Sequence, residues 1–235
     1  MSRMNDLEAV TVQYACEDNL RARQGLYAET EGPRAVDVLW DALAEIAPRR
    51  VLEVGGGPGE LSERLRDALD ADVSFVDISP RMVELARNRG IRAQVGDVQE
   101  LPFADESFDT AVAAWMLYHV PDIDRGIAEL SRVLVPGGRL VAVTNSELHL
   151  RELRELIAYP GDRVEPFRRE NGEEYLGRHF SAVERLDVDG TVTVRDRAKL
   201  VAYCASLSVE TAPVPDEVEL PFIVHRASSI FVATK

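Results

Sequence analysis

Apolar positions along this chain switch repeatedly between runs of neighbours and a spacing of three to four. Val51, Leu52 and Val54 form a short apolar run, the pattern of a strand buried on both faces. Leu61, Leu65 and Leu69 then recur every fourth residue, which places them on one face of a helix. The alternation repeats. Residues 73–77 predict a second strand, and Met82, Leu85 and Ala86 the inner face of a helix beginning at Ser79-Pro80 and stopping at Gly90. Serine as N-cap, proline in the first turn and glycine past the end are start and stop signals with a backbone reason. Residues 91–95, 108–115 and 139–144 predict three more strands, with Ile123, Ile127, Leu130 and Leu134 marking a helix before the last. Ahead of them all, Ala35, Val38, Leu39, Ala42, Leu43 and Ile46 keep helical spacing up to Pro48. Five strand–helix repeats in succession predict an α/β fold, a parallel sheet with helices on both faces.

The rhythm is different at the two ends. Residues 5–30 are polar with scattered Leu7, Val10, Tyr14, Leu20, Leu26 and Tyr27, read as one or two helices broken by Gly32-Pro33. Residues 147–180 are charged and partly helical, interrupted at Pro160-Gly161 and Asn171-Gly172. Residues 183–188 and 191–194 flank Asp189-Gly190, a two-residue hairpin signal. A helix at 197–207, a loop at 208–216 with two prolines and a closing pair of strands at 218–225 and 229–234 complete the chain. The reading is one domain over 1–235. A helical cover spans 1–32, a nucleotide-binding core 33–145, an insertion of helices and strands 146–216, and the closing strands 217–235.

Composition narrows the class. Lys and Arg number 27 against 41 Asp and Glu, a net charge of −14 with no basic block; such a surface repels phosphate backbones, so no nucleic-acid partner is expected. No apolar run reaches the length of a membrane span, and the first residues carry no apolar signal core. Cys16 and Cys204 stand far apart in unrelated contexts, read as free thiols of a reducing, cytoplasmic compartment. His119, His149, His179 and His225 show no close ligand spacing, so no metal is expected. Nothing in the sequence fixes an oligomeric state.

The chemistry gathers at strand ends. Gly55, Gly57 and Gly59 follow the first strand at alternate positions. Strand, glycine turn and helix form the local plan of a mononucleotide-binding fold, and glycine lets the backbone approach a ligand. The spacing G-x-G-x-G differs from the G-x-G-x-x-G of dinucleotide loops. Asp77 ends the next strand, where a carboxylate can accept both hydroxyls of a ribose. Asp97 ends the third and can accept from an exocyclic adenine amine or simply close the turn at Gly96. Trp115 and Met116 line a pocket or pack in the core. His119 is either a general base for a hydroxyl or amine, with an ordinary pKa near 6.5, or a packed histidine.

Taken in order, Glu53-Val-Gly-Gly-Gly-Pro-Gly59, Asp77, Gly96-Asp97, Phe108-Asp109 and Leu134-Val-Pro-Gly-Gly138 resemble the motif series of class I S-adenosylmethionine-dependent methyltransferases. The resemblance covers about residues 35–145. It implies a Rossmann-like, doubly wound sheet of seven strands, mostly parallel with an antiparallel last strand, and S-adenosylmethionine as cofactor. It also implies that the glycine loop lies against the methionine moiety, Asp77 takes the ribose and Asp97 the adenine amine, with Val98 beside the ring. Glu53, Ile78 and Ala114 count among the cofactor-binding positions on the same basis. Asn19-Leu-Arg-Ala-Arg23 resembles leading helices that cover the cofactor in some bacterial members, where Arg23 or Arg21 would pair with its carboxylate. Tyr118-His119 stands where many small-molecule members resemble a Leu-His-His ending, and the tyrosine is a departure from it. The function implied is methyl transfer to a small-molecule acceptor. A nicotinamide-dependent oxidoreductase and a non-catalytic cofactor-binding scaffold remain alternatives.

Overall fold

A computed structural model describes residues 18–160, 166–207 and 211–235. The helical segment read before residue 18, with Leu7, Val10, Tyr14 and Cys16, lies outside the described residues. So do the side chains of Leu20 and Arg21, residue 161 of the Pro160-Gly161 interruption, and the start of the loop at 208.

In chain order the elements are helix α1 (Asp18–Leu26), strand β1 (Thr30–Glu31), α2 (Ala35–Ile46), β2 (Arg50–Val54), α3 (Glu60–Leu69), β3 (Asp72–Asp77), α4 (Pro80–Asn88), β4 (Arg92–Val95) and β5 (Phe108–Ala114). A short 3-10 turn at Leu117–His119 leads to α5 (Ile123–Val133) and β6 (Leu134–Asn145). Then follow α6 (Arg151–Leu156), α7 (Gly172–Leu176), β7 (Ala182–Val194), α8 (Arg197–Ala205) and β8 (Phe222–Thr234). All eight strands form one sheet in the order β1-β7-β8-β6-β5-β2-β3-β4. Strands β2 to β6 pair in parallel, while β8 runs antiparallel to both β6 and β7.

The apolar runs read from the sequence are buried on both faces. In β2, Leu52 and Val54 join one helix-covered core with Ile127 and Leu130 of α5, while Val51 joins the other with Leu39 and Leu43 of α2. In β6, Leu140 and Ala142 divide from Val141 and Val143 in the same way. Successive strand side chains point to opposite faces, so a strand covered by helices on both sides must be apolar at nearly every position. The helix signals also act as read: the Ser79 hydroxyl accepts from the Met82 N–H, and Gly90 takes a left-handed φ of 76° past the end of α4.

The strand count, the hairpin at 183–194 and the closing pair of strands at 218–225 and 229–234 need correction. The sheet has eight strands, because residues 30–31 add a short edge strand to β7. Residues 182–194 are one strand of 13 residues, not a hairpin, and they pair along their whole length with a second 13-residue strand, 222–234. Asp189-Gly190 lies inside β7 opposite Ala227 and Arg226. The glycine is there for clearance: a Cβ on Gly190 would meet the carbonyl of Glu31 and the guanidinium of Arg226. Gly190→Ala should therefore lower stability by about 1–3 kcal/mol, the usual cost of overpacking against backbone that cannot move. Denaturant midpoints measure this, and an unchanged midpoint would refute the clearance account.

Thirteen residues extend roughly 40 Å, more than twice the reach of five-residue β2. The ends of β7 and β8 therefore overhang the parallel strands. There Val192, Val194 and Val224 build a separate apolar cluster with Leu26 of α1, Leu153 of α6 and Leu200 of α8. That cluster roofs the carboxyl edge of the parallel strands.

Candidate functional site

The strand order reverses between β2 and β5, because β3 and β4 continue to one side and β6 to the other. At such a point the two following loops diverge and leave a crevice at the carboxyl edge. A cavity of about 910 Å³ occupies it, near the upper end of the range for small-molecule sites.

One wall is the nucleotide-type end. The turn after β2 contributes Gly55 and Gly57, both with left-handed φ, of 64° and 59°. A Cβ on Gly57 would meet no protein atom within 4 Å, so that backbone faces open space. Gly59 does not reach the cavity. Its missing Cβ makes room for Ala86 of α4, so this glycine serves helix packing. A Cβ on Gly56 would run into the Glu53 carboxylate, which is the reason the turn carries three glycines in a row. Glu53 is only 1% exposed and accepts from the Ser62 hydroxyl. Burial pushes its pKa up to about 7, the Ser62 bonds working against that rise. Asp77, 7% exposed, accepts the Ser79 N–H at 2.8 Å, and burial raises its pKa to about 6. Ile78 follows it along the wall. Asp97 ends the crevice on this side beside buried Val98, and it accepts the Gln99 N–H at 2.9 Å and the Gln99 carboxamide. Gln99 was not legible as part of this group, since a glutamine two residues past an acid carries no motif.

The middle of the crevice is the turn after β5. Ala114 and Trp115 line it, and Trp115 holds a left-handed φ of 53°. A bulky residue in that region is strained, and such strain gathers at sites where the surroundings over-determine the backbone. Here the Trp115 N–H donates to Val143 at 2.8 Å and its indole N–H to Asn145 at 3.2 Å. Tyr118 and His119 both line the cavity, with their rings edge-on at 4.5 Å. His119 is buried.

The far wall is built from the roof. Arg23 of α1, Tyr27 just past it, His149 after β6, Arg154 of α6, Tyr203 of α8 and Arg226 of β8 all line it. Arg23 donates to the Ser206 carbonyl at 2.8 Å, which ties α1 to the end of α8. His149 is buried, and burial holds its pKa down to about 3. The Ala227 N–H donates to its Nδ1 at 3.0 Å; the Ala227 carbonyl, which accepts from the Ser146 N–H, also lies 3.2 Å from Nδ1. A neutral imidazole with an accepting Nδ1 carries its proton on Nε2. In that tautomer Nε2 donates to the Tyr27 hydroxyl at 3.0 Å, and the phenol keeps its own proton to give. Burial holds that phenol protonated, far above its usual pKa.

Arg226 is the residue the sequence reading missed. It sits next to His225 in the run 222–234, which is otherwise apolar or small. Among the described residues no three His, Cys, Asp or Glu side chains gather as a metal site, and no helix is long and apolar enough to cross a membrane. Cys204 is a half-buried free thiol with its pKa raised by burial.

Comparison with known proteins matches residues 52–142 to the methyltransferase domain family. The chain is 36% identical over 182 residues to an uncharacterised methyltransferase of Mycobacterium bovis, covering 75% of this chain and 70% of the relative. It is 40% identical over 108 residues to the demethylmenaquinone methyltransferase of Deinococcus radiodurans, spanning 43% of this chain and less than half, 44%, of that relative's length. A solved SAM-dependent methyltransferase from Thermotoga maritima superposes with a TM-score of 0.61 at 23% identity, covering 99% of this chain and 100% of the other.

Proposed function

Because the chain belongs to the S-adenosylmethionine-dependent methyltransferases, we propose that it moves a methyl group from S-adenosylmethionine to a small-molecule acceptor held in the same crevice. The observation that carries this reading is the length of the cavity. It begins at Asp97 beside β4 and continues past β5 to Asn145 at the end of β6 and Arg226 on β8. At about 4.8 Å per strand, those six neighbouring strands span roughly 24 Å. The nucleotide-type residues occupy only the first three, β4, β3 and β2, and the space beyond them suits a second molecule.

The residues fit the cofactor. The open face of Gly57 admits the methionine portion against the backbone. Buried Asp77 uses one oxygen for Ser79 and keeps acceptor capacity for ribose hydroxyls. Asp97 with Val98 borders the adenine, Ile78 and Ala114 add apolar wall, and Glu53 places a carboxyl beneath the turn. When bound, the cofactor supplies a methyl carbon already activated by a sulfonium. The chain then aligns the acceptor atom behind that carbon, and alignment alone is worth about 7–11 kcal/mol in favourable cases. Trp115, pinned by Val143 and Asn145, and the Tyr118-His119 turn stand between the two ends and fix that alignment. His119 takes a proton from acceptors that must lose one. The quinone-directed names of some relatives belong to proteins matched over less than half their length, and no acceptor is carried over from them.

Two measurements test the reading. S-adenosylhomocysteine at 100 times its dissociation constant should raise unfolding stability by about 2.7 kcal/mol. Isotopically labelled methyl donor, incubated with the protein and native extracts, should yield a labelled small molecule by mass spectrometry. Absence of the stabilisation would overturn cofactor binding. Stabilisation without label transfer would mark a binding scaffold.

A further inference from the structure

The carboxylates lining the cavity gather at one end, with Arg64 of α3 among them, and the other guanidinium groups of the lining, Arg34 included, come from elsewhere. These carboxylates, Glu53, Glu60, Asp77 and Asp97, all come from the nucleotide-type wall. The roof wall holds Arg23, Arg154 and Arg226, and no carboxylate among the described residues. This occurs in a chain of net charge −14, so the local excess of guanidinium is not a reflection of overall composition.

Arg226 shows the point most clearly. The residue is 6% exposed. Its Nη2 donates to the carbonyls of Glu31 at 3.0 Å and Pro33 at 3.1 Å, and its Nε to Thr191 at 3.4 Å. Among the described residues it makes no ion pair, and its Nη1 has no partner. A buried cation answered only by neutral carbonyls is costly, and a bound anion removes that cost. Beside it the Tyr27 hydroxyl lies 3.0 Å from His149 Nε2, and with the imidazole proton on Nε2 it keeps its own O–H to donate. Arg23, Arg154 and Arg226 all bear electrostatically on that phenol. The wall is thus rich in donors and poor in acceptors.

Resting on the methyltransferase reading above, we propose that the acceptor carries a carboxylate, seated between the Nη1 of Arg226 and the hydroxyl of Tyr27, with Arg154 closing the roof side. Two N–H groups on one guanidinium nitrogen and a phenolic O–H match the lone pairs of a carboxylate. A protonated amine would meet the like charge of three guanidinium groups there. Tyr27 and Arg226 touch the acceptor in this arrangement, and His149 is a positioning residue that sets the direction of the Tyr27 proton.

The test is calorimetry on the full chain saturated with S-adenosylhomocysteine, using three probes of similar size: 4-hydroxybenzoate, 4-hydroxybenzamide and tyramine. The carboxylate should bind at least tenfold more tightly than the amide, and tyramine most weakly. Arg226→Gln should cut 4-hydroxybenzoate affinity about tenfold and leave S-adenosylhomocysteine affinity within twofold. Tyr27→Phe should weaken the carboxylate while sparing the cofactor product, and serves if Arg226→Gln does not fold. Equal or tighter binding of tyramine, or no detectable binding of the carboxylate, overturns the proposal. So does a loss of S-adenosylhomocysteine affinity in Arg226→Gln, which would assign Arg226 to the cofactor's own carboxylate. Failure of the wild-type chain to bind S-adenosylhomocysteine at all would instead strike the methyltransferase reading.

Discussion

Gly57→Val is expected to abolish measurable S-adenosylhomocysteine binding, and Asp77→Ala to weaken it by about 1.5–3 kcal/mol, the worth of hydrogen bonds to a charged acceptor. The two effects differ in kind. Gly57 holds a φ of 59° and faces open space in the cavity wall. Valine there costs roughly 1–2 kcal/mol in backbone conformation alone, and its two methyl groups fill the space the ligand must enter. Asp77→Ala leaves the wall in place and removes an acceptor. The Ser79 and Gly57 N–H groups that now bond to Asp77 also lose their partner, so part of the loss will show as lower stability of the ligand-free protein. Titration calorimetry separates the terms once unfolding midpoints of the free variants are known. Unchanged affinity in Asp77→Ala would refute the ribose assignment. Binding that survives Gly57→Val in a folded protein would move the cofactor off the glycine turn.

How much of this was legible follows from where the signal is local. The parallel half of the sheet was readable because each strand there is short, covered on both faces and bounded by turn residues, so periodicity and punctuation agree. That Gly55, Gly57, Asp77 and Asp97 would line one cavity was readable because these groups follow strand ends at short spacing. The antiparallel half misled for a physical reason. Asp189-Gly190 has the composition of a hairpin turn, but Gly190 answers to the Glu31 carbonyl and the Arg226 guanidinium, which come from distant parts of the chain. The short edge strand at Thr30–Glu31 exists only because β7 runs on past the turn signal to meet it. The same contacts hid Arg226, whose neighbours are three backbone carbonyls and so leave no trace in residue identity. His149 stood in the sequence as one of four histidines without close ligand spacing. Its burial and its bond to Tyr27, 122 positions away, were not visible there.

Two buried titratable groups on opposite walls should give opposite pH dependence when each is replaced by glutamine. Glu53 has its pKa raised from 4.5 to about 7, chiefly by burial. The folded state therefore holds a proton that the unfolded chain releases, and stability from this group is complete below pH 4.5 and lost as pH rises through about 7. His149 has its pKa lowered from 6.5 to about 3, again chiefly by burial. The unfolded chain binds a proton that the folded state refuses, so stability from this group is present above pH 6.5 and lost as pH falls toward 3. In the wild-type protein the two largely offset each other between pH 5 and 7, and its stability profile alone says little. The variants uncover them. Glu53→Gln keeps the shape of the neutral acid, so it should nearly match wild type at low pH. Relative to wild type it should gain about 2–3 kcal/mol between pH 5 and pH 8. His149→Gln loses packing and the bond to Tyr27 at every pH, a constant offset. Against that offset it should recover about 2 kcal/mol relative to wild type as pH falls from 7.5 to 5. Urea unfolding across this window reads both differences. Parallel profiles for Glu53→Gln and wild type would mean that Glu53 stays ionised in the fold, held by Ser62. A flat difference for His149→Gln would mean that the imidazole can take up a proton where it lies.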